Sequence, residues 1–167
     1  MKHTSKLFFL MALIAFTMTS CFQEDTGPQM NDQRSFSIVD FDRLEASEAL
    51  DITVQQGNIF SIIATGDSRN LNDLDIQKNG SSLVMKFSSQ HSRQYTTYIT
   101  ITMPTLYGFS FSGAVNGKVT GFSQENFRFD ISLTGASVAQ VDGITDAIYA
   151  QLTGASQLRL SGTGTKI

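Results

Sequence analysis

The stretch Phe111-Ser112-Gly113-Ala114 recurs as Leu-Thr-Gly-Ala at residues 133–136 and again at residues 152–155. Eight residues after the glycine of each copy stands another glycine, and these are Gly121, Gly143 and Gly162. The apolar residues around the copies keep the same offsets, as in the series Phe109, Ile131 and Ala150 and the series Val119, Val141 and Leu160. Repetition at a nearly fixed period indicates stacked structural units. We therefore expect equivalent side chains to lie in columns.

Each repeat has the size of one coil of a parallel β-solenoid, because about 20 residues hold two short strands and two corners. Glycine adopts positive φ without a Cβ penalty, and a small alanine beside it suits neighbours about 4.8 Å above and below. An antiparallel meander also alternates and also turns at glycines, so it is the alternative. The recurring Gly-Ala corner favours the solenoid, since a meander does not require it.

The rest of the chain alternates apolar and polar residues with period two, which is typical of half-buried strands. Turns at Gln56-Gly57-Asn58 and Asn79-Gly80 predict hairpins, and a short helix is expected around residues 68–75. We predict an all-β fold: a parallel β-helix-like solenoid of about 20-residue coils, with residues 36–105 as an N-terminal β cap that covers one open edge.

The N-terminus has the features of a bacterial lipoprotein signal peptide over residues 1–20. Lys2 and Lys6 precede an apolar run that is shorter than the roughly 20 residues of a membrane-spanning helix. Met18-Thr19-Ser20-Cys21 resembles a lipobox, which predicts that Cys21 is the lipidated first residue of the mature protein. Alternatively, Cys21 is a late signal-peptide residue with a free thiol.

Residues 21–35 are polar and aperiodic, and we predict a flexible tether there, followed by the domain at residues 36–167. The acidic pair Glu24-Asp25 resembles short signals that send lipoproteins to the outer face of the outer membrane, so a Gram-negative outer membrane and the cell surface are the expected location. The last residues, 161–167, resemble the start of a further coil. The natural chain is therefore either short, with an open end, or longer than this sequence.

Composition excludes several classes of function. The 167 residues carry 12 basic and 15 acidic groups and a net charge of −3, without a basic cluster for nucleic acid. One cysteine and two histidines cannot build a Cys/His metal site, and no cofactor is expected. His91 is expected to be a plain loop residue. Asp67, Asp73 and Asp75 miss the spacing of a calcium loop and are expected to be turn and surface residues.

The three corners, the leading segment at residues 50–57 and the coil entry at residues 99–106 together resemble the family described as putative auto-transporter adhesin, head GIN domain. The resemblance runs from about Phe36 to the last residue. It implies a β-helix-like fold, an envelope location and binding rather than catalysis, and it brings no catalytic residues with it.

Alignment of the coils predicts one outward cluster that could touch a ligand, namely Arg128, Asp130, Tyr149 and Gln151. It could contact a glycan, with Tyr149 as a stacking surface. The alternative is an ordinary solvated face, because alternating strands place polar residues outside in any case. Some β-solenoids cleave acidic polysaccharides with such side chains, which is an analogy of fold alone.

We therefore predict a lipid-anchored envelope or cell-surface binding protein, adhesin-like and without catalysis. Its expected partners are the membrane, through the lipid, and a glycan or surface ligand. The competing hypotheses are a structural envelope protein that forms homo-oligomers through its open solenoid end, and a polysaccharide-acting enzyme.

Overall fold

The computed structural model describes residues 27–122, 128–143 and 147–162, so Cys21 and the predicted signal peptide lie outside the described residues. These described residues include one short helix, α1 (Ser68–Asp73). The strands are β1 Asn31–Phe36, β2 Arg43–Ala46, β3 Leu50–Gln56, β4 Ser61–Asp67, β5 Leu74–Asn79, β6 Ser82–Phe87, β7 Thr97–Met103, β8 Gly108–Phe111, β9 Asn116–Thr120, β10 Arg128–Leu133, β11 Val138–Asp142, β12 Ala147–Leu152 and β13 Gln157–Ser161.

The strands form two open, mixed sheets around one hydrophobic core. Sheet A has the order β1-β4-β7-β3-β9-β11-β13, and sheet B has the order β12-β10-β8-β2-β6-β5. Alternate residues of both sheets point into the shared core, which includes Ile52, Ile101, Leu83 and Phe111. The prediction of an all-β protein with a short helix near residue 68 is confirmed.

The repeat pairs in parallel and in the predicted columns. Ile131 lies opposite Phe109 on one side and Ala150 on the other. Val141 likewise lies between Val119 and Leu160. The meander alternative is wrong for this part of the chain, because all four of these strand pairings are parallel.

The corner glycines have the backbone conformation that the sequence predicts. Gly113, Gly135 and Gly154 have φ values of 76°, 74° and 76°. They stack closely, since the amide of Ala136 donates to Gly113 O at 2.7 Å and the amide of Ala155 donates to Gly135 O at 2.7 Å. A Cβ on Gly135 would lie 2.6 Å from Gly113 O, so this position has no room for a side chain.

The strand order before the repeat does not follow the chain. β2 pairs with both β6 and β8, and β3 pairs with both β7 and β9, all in parallel. The segment from β4 to β7 therefore lies on the side of β2 and β3 opposite to the repeat. The hairpin predicted at residues 56–58 is wrong because β7 lies between β3 and β4. The hairpin predicted at residues 79–80 is confirmed, since β5 pairs with β6 in antiparallel fashion.

The tether predicted for residues 21–35 is wrong for its last five residues. β1 begins at Asn31 and pairs with β4 over its whole length, so the ordered domain starts before Phe36. The backbone hydrogen bonds of this added strand stabilise a segment whose polar sequence gives no apolar alternation.

The carboxylate of Asp67 anchors the residue that precedes β1. It accepts hydrogen bonds from the amide of Met30 at 2.9 Å and from Arg69 Nη2 at 2.7 Å, and it also caps α1. The expectation that Asp67 is a surface residue is wrong, because it is 1% exposed. The side-chain hydrogen bond from Arg69 lowers the pKa of Asp67 far below its ordinary value, against the opposing effect of burial.

Candidate functional site

The outward face of sheet B carries two rows of side chains that cross five strands. Parallel register places equivalent residues side by side, about 4.8 Å apart from strand to strand. The first row contains Ser82, Arg43, Gly108, Asp130 and Tyr149. The second row contains Val84, Glu45, Ser110, Ser132 and Gln151.

All residues of these rows except Val84 line a shallow groove of about 430 Å³. Its walls include all four side chains of the predicted outward cluster, which are Arg128, Asp130, Tyr149 and Gln151. The structure therefore brings the predicted cluster together on one surface. It adds two charged residues from β2 that the alignment of the coils did not include, Arg43 and Glu45.

Asp130 is the centre of the charged network in the groove. Arg43 Nη2 lies 3.3 Å from Asp130 Oδ2, and Arg128 Nε donates to Asp130 Oδ1. Arg43 reaches Asp130 from two strands away, because the residue between them in the row is Gly108, which has no side chain. A Cβ at Gly108 would lie 2.3 Å from Asp130 O.

Tyr149 forms the aromatic part of the groove and is 49% exposed. The Arg128 guanidinium lies over the ring, with Cζ 4.2 Å from the centroid, in cation–π geometry. Gln151 Nε2 donates to the Tyr149 hydroxyl at 3.1 Å. Neighbouring side chains on both sides thus hold the orientation of this exposed ring.

Asp130 is suited to accepting hydrogen bonds rather than to transferring protons. Burial raises the pKa of Asp130, but the hydrogen bonds and positive charges of Arg128 and Arg43 outweigh that effect, so the pKa lies below its ordinary value. A general acid at neutral pH needs a raised pKa instead. The groove offers fixed charges and one aromatic face, which suit binding.

Sequence reasoning missed Arg43, Glu45 and Gly108 as members of this surface. The repeat signal begins at β8, and β2 lacks the glycine corner that would align it with the later coils. The sequence Ala46-Ser47-Glu48-Ala49 does keep the Ser-x-Ala pattern of Ser112-Gly113-Ala114. That weak match is the signal that could have placed β2 beside β8.

The remaining expectations for single residues are met in part. His91 lies in the loop between β6 and β7 and is exposed, as predicted. Asp73 is partly buried and pairs with Arg93, while Asp75 lies on β5. The described part of the chain contains no helix with the length and hydrophobicity that crossing a membrane requires.

The model of one protein family, described as putative auto-transporter adhesin, head GIN domain, matches residues 40–167. The chain belongs to this family. The earlier resemblance is therefore confirmed, and the membership indicates a binding protein of the cell surface or envelope. No curated protein is similar enough to count as a match.

Three solved structures share the fold of this head GIN domain. A putative adhesin from Bacteroides fragilis has a TM-score of 0.72 at 21% identity and is aligned over 83% of this chain and 66% of that one. A putative adhesin from Parabacteroides distasonis has a TM-score of 0.59 at 13% identity, over 83% and 67%. A putative lipid binding protein from the same species has a TM-score of 0.53 at 11% identity, over 80% and 61%.

The chain thus spans about two thirds or less of the length of these structures. At these identities the likeness concerns the fold, and it carries no ligand or partner over to this protein.

Proposed function

We propose that this protein is a lipid-anchored binding protein of the bacterial envelope that contacts glycans through the groove on sheet B. The observation that carries the proposal is the groove itself. A half-exposed tyrosine ring lies beside a carboxylate that is held between two arginines, all on one rigid sheet face.

The chemistry of the groove matches that of a sugar. Sugars present apolar C–H faces, which pack against an aromatic ring, and hydroxyl groups, which both donate and accept hydrogen bonds. Asp130 and Glu45 provide acceptors, while Arg43 and Arg128 provide donors. Hydrogen bonds to charged groups are the stronger kind, and the sheet fixes their positions before the ligand arrives.

The rows also favour an extended ligand over a single sugar. They run across β6, β2, β8, β10 and β12, and the absent side chain at Gly108 leaves a depression in the middle of the first row. A chain molecule lying across the strands would meet polar groups at each strand. A lipid is less suited, because charged and polar side chains line most of the groove.

Catalysis is not part of the proposal. Both oxygens of Asp130 already take part in ion pairs with arginines, and its lowered pKa disfavours proton transfer. Turnover of a bound glycan would instead establish that the protein is a polysaccharide-acting enzyme.

A glycan array tests the groove directly. The wild-type protein is expected to retain a restricted set of glycans, and Asp130→Ala is expected to lose them. Arg159→Ala is the matched control, because Arg159 is an exposed charged residue on β13 of the other sheet. Equal binding by wild type and Asp130→Ala would contradict the proposal.

The envelope anchor is proposed at Cys21. Acylation of this residue would hold the domain at a membrane, since each buried CH₂ contributes about 0.8 kcal/mol and two chains anchor stably. Cys21→Ala is expected to lose labelled fatty acid and to leave the membrane fraction. Retained label in Cys21→Ala would refute this assignment. Protease treatment of intact cells then tests surface exposure, with a periplasmic protein as the control.

We also propose that the parallel ladders are successive coils of a β-solenoid. Of residues 36–105, which were predicted to form the cap, β2, β3, β6 and β7 pair in parallel like the repeat, so we propose that only β4 and β5, together with β1, act as the cap. The support is that these three strands pair in antiparallel fashion on one side of the parallel ladders. Strands β12 and β13 lie at the other end of the sheets.

The end at β12 and β13 supports self-association as a second candidate function. Leu152 is 43% exposed and Leu160 is 50% exposed, although their partners in the preceding strands, Leu133 and Val141, are buried. A second copy that adds its strands here would cover these leucines. Sedimentation over a range of concentrations is expected to show dimers that Leu160→Pro abolishes, with the fold checked by circular dichroism. A monomer at all concentrations would refute this candidate.

A further inference from the structure

The glycine column of the repeat continues into β2 and β3 with a glutamate. Ser112 N donates to Ala46 O at 2.9 Å and Ala114 N donates to Glu48 O at 3.1 Å, which places Glu48 at the level of Gly113. A Cβ on Gly113 would lie 2.9 Å from Glu48 N. Glu48 has a φ of 70°, whereas the three glycines have φ values of 74° to 76°.

This backbone conformation is unfavourable for a residue with a side chain. Non-glycine residues with positive φ are uncommon, and glutamate lacks the local hydrogen bonding that lets asparagine adopt this region. Glycine meets the same requirement at the other three corners. Strained residues of this kind concentrate at sites where the side chain has a task.

The Glu48 carboxylate has an unused capacity to accept hydrogen bonds. Its Oε2 is buried and has no hydrogen-bond donor among the described residues. Its nearest cation, Arg93 Nη1, lies 3.9 Å from Oε2, beyond hydrogen-bond distance. Oε2 itself is closed to solvent, but the side chain as a whole is 28% exposed, so solvent or a ligand can reach another part of it.

Glu48 lines an open surface cavity of about 530 Å³ that is separate from the groove. The other lining residues are Ala49, Phe87, Gln90, His91, Ser92 and Arg93. None of these residues lines the groove on sheet B. The cavity lies where the corner after β2 meets the loop between β6 and β7.

Arg93 holds this loop in place as one wall of the cavity. Its guanidinium stacks on Phe87 at 3.6 Å, pairs with Asp73, and donates to the backbone oxygens of His91 and Ser89 at 3.2 and 2.9 Å. Its side chain is 9% exposed. Nη1 and Nη2 already bond within the protein, and Nε is buried without an acceptor among the described residues. Arg93 therefore shapes the cavity and pairs with Glu48 only at 3.9 Å, so the Glu48 carboxylate can still accept from a ligand.

The remaining lining groups supply donors and an apolar contact. The amide of Gln90 and the imidazole of His91 belong to exposed residues, and each can donate a hydrogen bond. Ala49 is exposed beside Glu48 and presents a methyl group. An acceptor, donors and a small apolar contact therefore surround one cavity.

We propose that this corner cavity binds the acetamido group of an N-acetylated amino sugar. The acetamido N–H donates to Glu48, its carbonyl accepts from Gln90 or His91, and its methyl group packs against Ala49. The proposal rests on the glycan class of the proposed function, but it uses a different surface. If the groove binds no glycan, the proposal for the corner cavity is unaffected. If the corner cavity binds no N-acetylated sugar, the proposal for the groove is unaffected.

Three trisaccharides with the same backbone test the ligand class. The probes are tri-N-acetylchitotriose, chitotriose with free amines, and cellotriose with hydroxyl groups in place of the acetamido groups. Chemical shifts of ¹⁵N-labelled full-length protein are the readout, because the chain has no tryptophan to report binding by fluorescence. We expect the N-acetylated probe to shift the amides of residues 48–49 and 87–93. Equal binding of cellotriose, tighter binding of the amine, or shifts confined to the groove would overturn the proposal.

Glu48→Gly separates a ligand role from a structural one. Glycine relieves the backbone strain, so the melting temperature is expected to stay the same or to rise, while affinity for the N-acetylated probe falls about tenfold or more. Gln90→Ala is expected to weaken binding of the N-acetylated probe without changing stability, and Arg159→Ala, at an exposed position on β13, is expected to leave that binding unchanged. Undiminished binding by Glu48→Gly, or no binding by the wild type, would refute the site.

Discussion

Arg43 and Asp130 form an ion pair across an intervening strand, with Nη2 3.3 Å from Oδ2. They belong to β2 and β10, and β8 lies between these strands. Gly108 is the residue of β8 that stands between them in the register, and its missing side chain opens the path. The absence of a side chain at Gly108 thereby allows an arginine outside the repeat to pair with an aspartate inside it.

Gly108→Ala is expected to destabilise the protein by about 2 kcal/mol, because the added Cβ would collide with a backbone oxygen that cannot rotate away. The oxygen is Asp130 O, 2.3 Å from the ideal Cβ position. Denaturant unfolding measures the change. Ser110→Ala, at the next outward position of β8, is the control and is expected to change stability little. Equal stability of the two variants would contradict the close approach of β8 and β10.

Gly135→Ala and Gly80→Ala separate backbone strain from lack of space. Both glycines have positive φ, at 74° and 61°, but only the Cβ at residue 135 meets a close neighbour, Gly113 O at 2.6 Å. We expect a loss of about 1 kcal/mol for Gly80→Ala and of about 3 kcal/mol for Gly135→Ala. Equal losses measured by urea unfolding would show that the corners do not stack as closely as described.

Acid is expected to weaken the attachment of β1. The pKa of Asp67 is lowered in the folded protein, so its stabilising contribution is complete above the unfolded value of about 3.9 and is lost as the pH falls toward the folded value. The free energy of unfolding should therefore decrease below about pH 4. Asp67→Asn should flatten this decrease.

The matched control for the acid effect is Asp32→Asn, an exposed aspartate on β1. The pKa values of Asp73, Asp130 and Asp142 are also lowered, so part of the acid sensitivity should persist in Asp67→Asn. A pH profile identical to that of the wild type would rule out Asp67 as a major contributor.

Substitution of Leu133 and of Leu152 tests whether a second copy covers the β12 end of sheet B. They are register partners on β10 and β12, yet Leu133 is 0% exposed and Leu152 is 43% exposed. We expect Leu133→Ala to cost about 3 kcal/mol and Leu152→Ala to cost less than about 1 kcal/mol in dilute solution. If both cost the same, and the cost of Leu152→Ala grows with protein concentration, a second copy covers Leu152.

The sequence was most informative where the fold repeats. The columns through Ile131 and Val141 could be predicted because each repeat unit pairs with its own sequence neighbour, so the internal offsets set the register. Positive φ at Gly113 followed from the same repeat.

The remainder depends on contacts that are distant in sequence. Arg43 and Asp130 are 87 residues apart, and nothing local indicates that β4 to β7 turn to the opposite side of β2. Glu48 was missed because it occupies a glycine position without being glycine. β1 was missed because a polar strand at a sheet edge shows no alternation of apolar residues.

The most direct test of the glycan groove compares two tyrosines. Tyr149 in the groove is 49% exposed, and Tyr98 on β7 of the other sheet is 50% exposed, so their replacement removes rings of equal exposure. Wild type, Tyr149→Ala and Tyr98→Ala are applied to the same glycan array. We expect Tyr98→Ala to bind as the wild type does and Tyr149→Ala to lose the bound glycans. Loss of binding in neither variant, or equal loss in both, would contradict glycan binding by the groove.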